Sequence, residues 1–477
     1  KAAALDPDNT AYQEKLGQLY VTQKDYPDAN KAYERLYGSN KARTDVLQLL
    51  YQLYGSQNDY RKMISTLERL ETVEGSNEQI SLSKMQIYEQ MGEKRKEYDE
   101  LKSLVDSHPL ELNYQVMFGN WLLQNGKKKE ALQKYRDVLK DDPDNSLARL
   151  SMMDYYSSIG DQTTVNAIRR ELLQSAKTEQ NTKVELLRQV IAASQKDNTP
   201  DSTEVMRLFS VALAAPQENA DILMLKAAYM TLRKMPKTDI NHVYEQAIEV
   251  EPDNSRARIL LIQNIWETED YDKVIAICRP ALEYNPDEMA FYYFQGMAQY
   301  QKHENDAALT TFRKGVGQIK PDSNPDIVSD FYAIMGDILH EKGLNDEAFQ
   351  AYDSCLQWKP DNTAALNNYA YYLSVENRNL AKAEQMSYKT IKAEPSNSTF
   401  LDTYAWILFQ EKRYEEAKIY IEQAIRNDST LSGVVKEHAG DIYAQTGDME
   451  KALEYWQQSL EGGNTSATLK KKIQQKK

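Results

Sequence analysis

One short string recurs along this chain and settles much of what it can fold into. Pro7-Asp8-Asn9, Pro143-Asp144-Asn145, Pro252-Asp253-Asn254 and Pro360-Asp361-Asn362 share three letters, and Pro286-Asp287 and Pro395-Ser396-Asn397 are variants. Proline stops the helix before it. Aspartate or asparagine then offers a side-chain oxygen to the free N–H groups of the next helix. Downstream of each turn a helix ends in a short polar loop, such as Gln23-Lys24-Asp25-Tyr26, Gln124-Asn125-Gly126-Lys127 or Thr446-Gly447-Asp448. A small residue follows, with an aromatic four positions on: Ala29 and Tyr33, Ala131 and Tyr135, Ala308 and Phe312, Ala348 and Tyr352, Ala452 and Trp456. The small residue lets two helices approach, and the aromatic one turn later fills the gap between them.

The two signals together have a period of 34 residues with two helices in each. Unit starts fall near residues 10, 44, 78, 112, 146, 185, 221, 255, 289, 329, 363, 398 and 433, giving about thirteen units over the 477 residues. Such arrays escape the usual link between length and domain number, because each unit packs only on its neighbours. Composition agrees. Gly (18) and Pro (14) are scarce, which favours helices joined by short loops. Sustained strand-like alternation is absent, and no apolar run reaches the roughly 18 residues of a membrane span. The expected class is all-α.

Residue by residue, the frame resembles the tetratricopeptide repeat. Pro7, Leu16-Gly17, Tyr20, Ala29 and Tyr33 match its pattern. So do Phe118-Gly119, Ala131, Tyr135 and Pro143, and Met335-Gly336, Ala348, Tyr352 and Pro360. Ala439-Gly440, Tyr443, Ala452 and Trp456 match again. The resemblance implies a right-handed superhelix of paired helices, closed by a capping helix.

The frame slips at a few joints. The loose joint near 174–184 and the polar stretch 194–203 with Pro200 mark a bend, and Lys320-Pro321-Asp322-Ser323-Asn324-Pro325 is a longer loop. We expect an N-terminal array over 1–180, a C-terminal array over 181–464, and a basic capping helix and tail over 465–477. Lys470, Lys471, Lys472, Lys476 and Lys477 read as lysines of a solvated last helix, favoured at the negative end of its dipole. The opening Lys1-Ala2-Ala3-Ala4-Leu5-Asp6-Pro7 reads as the tail of a helix, so upstream sequence is expected to precede it.

Chemistry is sparse. Formal charge is −14, which disfavours a phosphate backbone as partner. Five histidines (108, 242, 303, 340 and 438) include no pair four apart, so no zinc-protease pair exists. Gly315-Val316-Gly317 lacks the third glycine and preceding strand of a dinucleotide loop. The Asp-Pro-Asp-Asn turns lack the glycine and glutamate of a calcium loop. Cys278 and Cys355 lie on second helices of different units and read as small packing residues. We expect no cofactor, no metal and no catalytic residue.

In the repeat family, the second, fifth, sixth, ninth, twelfth and thirteenth positions of each unit line the concave side, where a peptide or partner helix lies. From the seventh unit on, these slots turn aromatic: Tyr229, Trp266, Tyr293, Phe294, Met297, Tyr300, Tyr371, Trp406 and Phe409. Lys226, Arg233, Asp337, Asn367, Asn368 and Asp402 are interleaved. Large aromatics beside amides and charges have the composition of a binding hot spot. The expected partner-binding set is Tyr229, Trp266, Tyr293, Phe294, Tyr300, Asp337, Asn367, Asn368, Tyr371, Asp402, Trp406 and Phe409. The carboxylate clamp of chaperone-binding relatives is not matched, although Asn120 occupies one of its slots.

Leu366-Asn367-Asn368-Tyr369-Ala370-Tyr371, Leu401-Asp402-Thr403-Tyr404-Ala405-Trp406 and Arg413-Tyr414-Glu415-Glu416-Ala417 resemble the C-terminal part of bacterial envelope repeat proteins. Many of those are periplasmic lipoproteins, including ones in Bacteroides and its relatives. The resemblance implies a periplasmic, outer-membrane-anchored scaffold for a protein complex. An adaptor serving a C-terminal processing protease, a cytoplasmic location and an enzyme are the alternatives.

Overall fold

In a computed structural model of the chain, residues 6, 9–75, 77–196, 202–428, 430–464 and 467–474 are described. Pro7 and Asp8 of the first turn, part of the 194–203 stretch, and Lys476 and Lys477 lie outside them. The described residues form 27 helices and no strand. Eleven of the thirteen expected unit starts coincide with the first residue of a helix, from Thr10 to Gly433. The two exceptions have longer first helices, Gln180–Lys196 and Pro325–Glu341, of 17 residues each. The second begins early because Pro325 suits the first helical position and Asn324 caps it, accepting from the Asp326 N–H at 2.9 Å.

Packing divides the chain into two compact units, Lys1–Glu218 and Asn219–Lys477. The first holds six helical hairpins, beginning with Thr10–Thr22 and Tyr26–Ser39. The second holds seven, beginning with Asp221–Leu232 and Lys237–Val250, and the short helix Ala467–Gln474 packs on the last of them.

The recurring asparagines do what the turn demands. Asn145 and Asn254 each accept from a backbone N–H three residues on at 2.9 Å, and Asn362 does so at 3.1 Å. Aspartates cap the second helices in the same way, as at Asp59 and Asp270. Satisfying these otherwise unpaired donors contributes about 1 kcal/mol per cap.

Five hairpins close around the same contact. A glycine on the first helix faces an aromatic ring on the second: Gly17 and Tyr33, Gly119 and Tyr135, Gly296 and Phe312, Gly336 and Tyr352, Gly440 and Trp456. A Cβ on Gly17 would stand 2.7 Å from Tyr33 Cζ, closer than any carbon pair tolerates. Where the ring has a polar tip, the residue after the glycine often receives it. Tyr135 Oη donates to Asn120 at 2.7 Å, Trp456 Nε1 donates to Asp441 at 2.9 Å, and Tyr352 Oη donates to Asp337.

Among the described residues, the turn inside a hairpin holds a left-handed residue. Gly126, Gly160, Gly343 and Gly447 supply it without strain, but Lys24, Lys234, Glu269 and Lys412 also hold positive φ. Glu269, at φ 58, is an exposed example. Glu269→Gly is expected to raise the denaturation midpoint, by about 0.5–1 kcal/mol of stability. A lower midpoint would refute the strain argument.

Candidate functional site

First helices of the second unit stack side by side, so equivalent slots form rows across successive hairpins. Trp266, at the end of Ser255–Trp266, meets Phe294 on Met289–Gln301 at 6.0 Å between ring centroids. Phe294 meets Tyr293 at 5.6 Å, and Tyr293 Oη donates to Asp330 on the next first helix at 3.4 Å. Burial pushes the Tyr293 phenol up, and the Asp330 charge adds to it. Burial likewise raises the Tyr300 phenol, with Asp337 and Glu341 contributing.

A second group lies further along. Phe409 and Trp406 stack at 4.8 Å on Ser398–Gln410, and Trp406 stacks on His438 of Gly433–Gln445 at 4.0 Å. The His438 imidazole sits at 3.0 and 3.1 Å from the two Asp402 oxygens, with both side chains only 7% exposed. Tyr371 lies 6.1 Å from the same imidazole. Trp406 Nε1 and Asn367 Oδ1 are shielded from solvent and have no hydrogen-bond partner. An unmade buried hydrogen bond costs about 1–3 kcal/mol.

Three cross-unit contacts share one geometry. Asn368 donates to Asp337 at 3.1 Å, His438 pairs with Asp402, and the Lys472 ammonium lies 2.9 Å from Glu437 and 2.6 Å from Asp441. In each case a side chain near the sixth slot reaches back to a carboxylate of the preceding unit. Burial opposes the charge on Lys472, and the two carboxylates overcome it, so its pKa rises. Lys472 is therefore half-buried and paired, unlike the solvated lysine expected from sequence; Lys470 and Lys471 are exposed.

The expected partner-binding residues thus separate by placement. Tyr229, Asn367 and Asp402 are buried within the stack. Trp266, Tyr293, Phe294, Tyr300, Tyr371, Trp406 and Phe409 are half-buried. Asp337 and Asn368 are half-buried and bonded to each other. Sequence reading omitted His438, Glu437 and Asp441, although they fill the sixth, fifth and ninth slots of the unit starting at 433. Carrying the slot frame into that last unit would have found all three.

Asp337 offers a pH test. Burial pushes its carboxyl above the usual range, and the donors Tyr352 and Asn368 only partly offset this. A raised folded-state pKa contributes most stability below the unfolded value, and that contribution is lost as pH rises through the folded one. Asp337→Asn keeps the acceptor oxygen and removes the charge. Relative to the parent, it is expected to gain stability as pH rises through the range above about 4. A relative loss over that range would contradict the burial argument.

Cys278 and Cys355 are fully buried, and burial pushes their thiols up to about 12 and about 11. Among the described residues, no group of three or more His, Cys, Asp or Glu side chains is placed to hold a metal ion. No described helix is long and apolar enough to cross a membrane.

Two family models, both described as tetratricopeptide repeat, match the chain. One covers residues 1–196, and the other covers 329–362, 400–430 and 436–461. The chain is similar to human protein O-mannosyl-transferase TMTC1, at 24% identity over 37% of this chain and 20% of that protein. It is also similar to stress-induced-phosphoprotein 1 of Caenorhabditis elegans, at 29% identity over 20% of this chain and 30% of that protein. The chain thus spans under a third of the length of either curated relative. A tetratricopeptide repeat protein from Parabacteroides merdae has a solved structure that matches at 14% identity and a TM-score of 0.38, over 54% of this chain and 97% of that one.

Proposed function

Because the chain belongs to the tetratricopeptide repeat family, we propose that it is a non-catalytic scaffold that holds a peptide or partner helix on the first-helix face of its second unit. The observation that carries this reading is the run of half-buried aromatics on that face. Trp266, Tyr293, Phe294, Tyr300, Tyr371, Trp406 and Phe409 come from four first helices, and their ring contacts are edge to face, tilted or stacked. They keep part of each ring in contact with water. Such rings bury large area on binding at low side-chain entropy cost, which is why they dominate hot spots.

The resemblance of 366–425 to bacterial envelope proteins supports a periplasmic complex as the assembled target. Delivery of substrates to a C-terminal processing protease is the second form of the same reading. Its support is that resemblance alone.

Capture from bacterial envelope extract tests the proposal. The parent chain is expected to retain a defined partner, and the combined Trp266→Ala, Tyr293→Ala and Trp406→Ala variant is expected to lose it while staying folded by circular dichroism. Retention by the variant at parental levels would place the binding surface elsewhere. For the adaptor form, the purified chain is expected to accelerate substrate cleavage by a processing protease, and an unchanged rate rejects it.

A further inference from the structure

Charge is not spread evenly over the first-helix slots of the second unit. In the hairpins starting at 221 and 255 those slots hold Lys226, Arg233, Arg256 and one acid, Glu267. In the hairpins starting at 289, 329, 363, 398 and 433 they hold no lysine or arginine. The last four carry Asp330, Asp337, Glu341, Asp402, Glu437 and Asp441. Carboxylates on this face are therefore concentrated in the hairpins where no lysine or arginine shares the slots.

Asp402 is paired with His438, and Glu437 and Asp441 with Lys472, while the other three carboxylates are satisfied without being neutralised. Asp330 accepts from the Tyr293 phenol, Asp337 from the Tyr352 phenol and the Asn368 amide, and Glu341 from the Asn305 amide at 2.7 Å. These donors are neutral, so the hydrogen bonds fix the oxygens in place and leave the negative potential standing. Tyr300 and Tyr371 present ring faces on the same stretch, and aromatic faces attract cations. One cation already sits on this row. Lys472 comes from a helix outside the thirteen hairpins, yet its ammonium lies between Glu437 and Asp441. It shows which group the row accepts.

We propose that the segment bound on this face is cationic, with Lys or Arg side chains against Asp330, Asp337 and Glu341 and the neighbouring tyrosine rings. This rests on the scaffold reading above and names the chemistry of the ligand.

Fluorescence anisotropy on the full chain decides it. The probe is a labelled peptide of about twelve residues, roughly 40 Å when extended, in which lysines alternate with leucine and phenylalanine. The comparison peptide has glutamate for every lysine. The lysine peptide is expected to bind at least about tenfold more tightly, and to weaken about tenfold between roughly 0.05 and 0.25 M salt. Asp330→Asn with Glu341→Gln is expected to weaken it about fivefold or more. Glu249→Gln with Glu283→Gln removes two exposed charges from second helices and is expected to change nothing. Equal binding of the glutamate peptide, salt-independent binding, or equal weakening by both double variants each overturns the inference. The two levels fail differently. A captured partner that depends on the aromatics but contacts them, by cross-linking, through a non-basic segment ends this inference and leaves the scaffold reading standing. Capture of no partner ends the scaffold reading itself.

Discussion

Tyr352→Ala is expected to destabilise the hairpin Pro325–Glu341 and Asn345–Trp358 by about 3–5 kcal/mol. The ring is fully buried and lies against Gly336, where a Cβ would stand 2.8 Å from Cζ. Nothing else on the first helix fills that slot, because glycine has no side chain to relax into it. Removal therefore leaves a cavity and also takes the hydroxyl donor from Asp337. Tyr352→Phe isolates the second effect and is expected to cost about 1–2 kcal/mol. Gly336→Ala approaches the same contact from the other side, and overpacking there is expected to cost about 1–3 kcal/mol. The measurement is hydrogen exchange of amides in 325–358, since a repeat stack opens locally before it unfolds as a whole. A Tyr352→Ala cost below about 1 kcal/mol would show that the hairpin is held by its other contacts.

Lys84→Ala is the second large effect, expected to cost about 3 kcal/mol in the first unit. Lys84 on Glu78–Met91 is 7% exposed, and its ammonium lies 2.6 Å from Glu71 and 3.6 Å from Glu100. Glu71 belongs to the preceding hairpin and Glu100 to the same one, so one cation ties together three helices. Burial opposes its charge, and the two glutamates more than compensate. Without the ammonium, two partly buried carboxylates face each other across the gap. Lys84→Met keeps the alkyl packing without the ammonium and is expected to show most of the same deficit. Parental stability in Lys84→Met would assign the loss to the lysine's alkyl packing instead.

Periodic features of the fold were legible because they repeat for local reasons. Asn145, Asn254 and Asn362 mark helix starts through contacts only three residues long, and Ala131 and Tyr135 mark helix approach through one helical turn. Gln180 and Pro325 were placed less well, since a first helix extended by a turn breaks the fixed period. The candidate face was readable as a set of slots, and its internal pairing was not. His438 meets Asp402 across 36 positions of sequence, and Lys472 meets Glu437 across 35. Those pairings depend on how neighbouring first helices align, which composition does not carry. Lysines near a chain's end look alike on paper. Only the stacking of Leu469 into the cluster of Tyr443, Ala452 and Trp456 turns Lys472 inward and leaves Lys470 and Lys471 in water.

The backward-reaching pairs have a mechanical consequence. Asn368 to Asp337, His438 to Asp402 and Lys472 to Glu437 each tether a helix to the first helix of the hairpin before it, roughly one repeat apart. Under tension applied through the two ends of the second unit, these tethers load in series, so the weakest gives way alone and its neighbours hold. Extension is then expected in discrete steps, each releasing one hairpin and lengthening the molecule by about 110 Å. A stack built this way yields by increments, keeping the remaining hairpins ordered while part of it is drawn out.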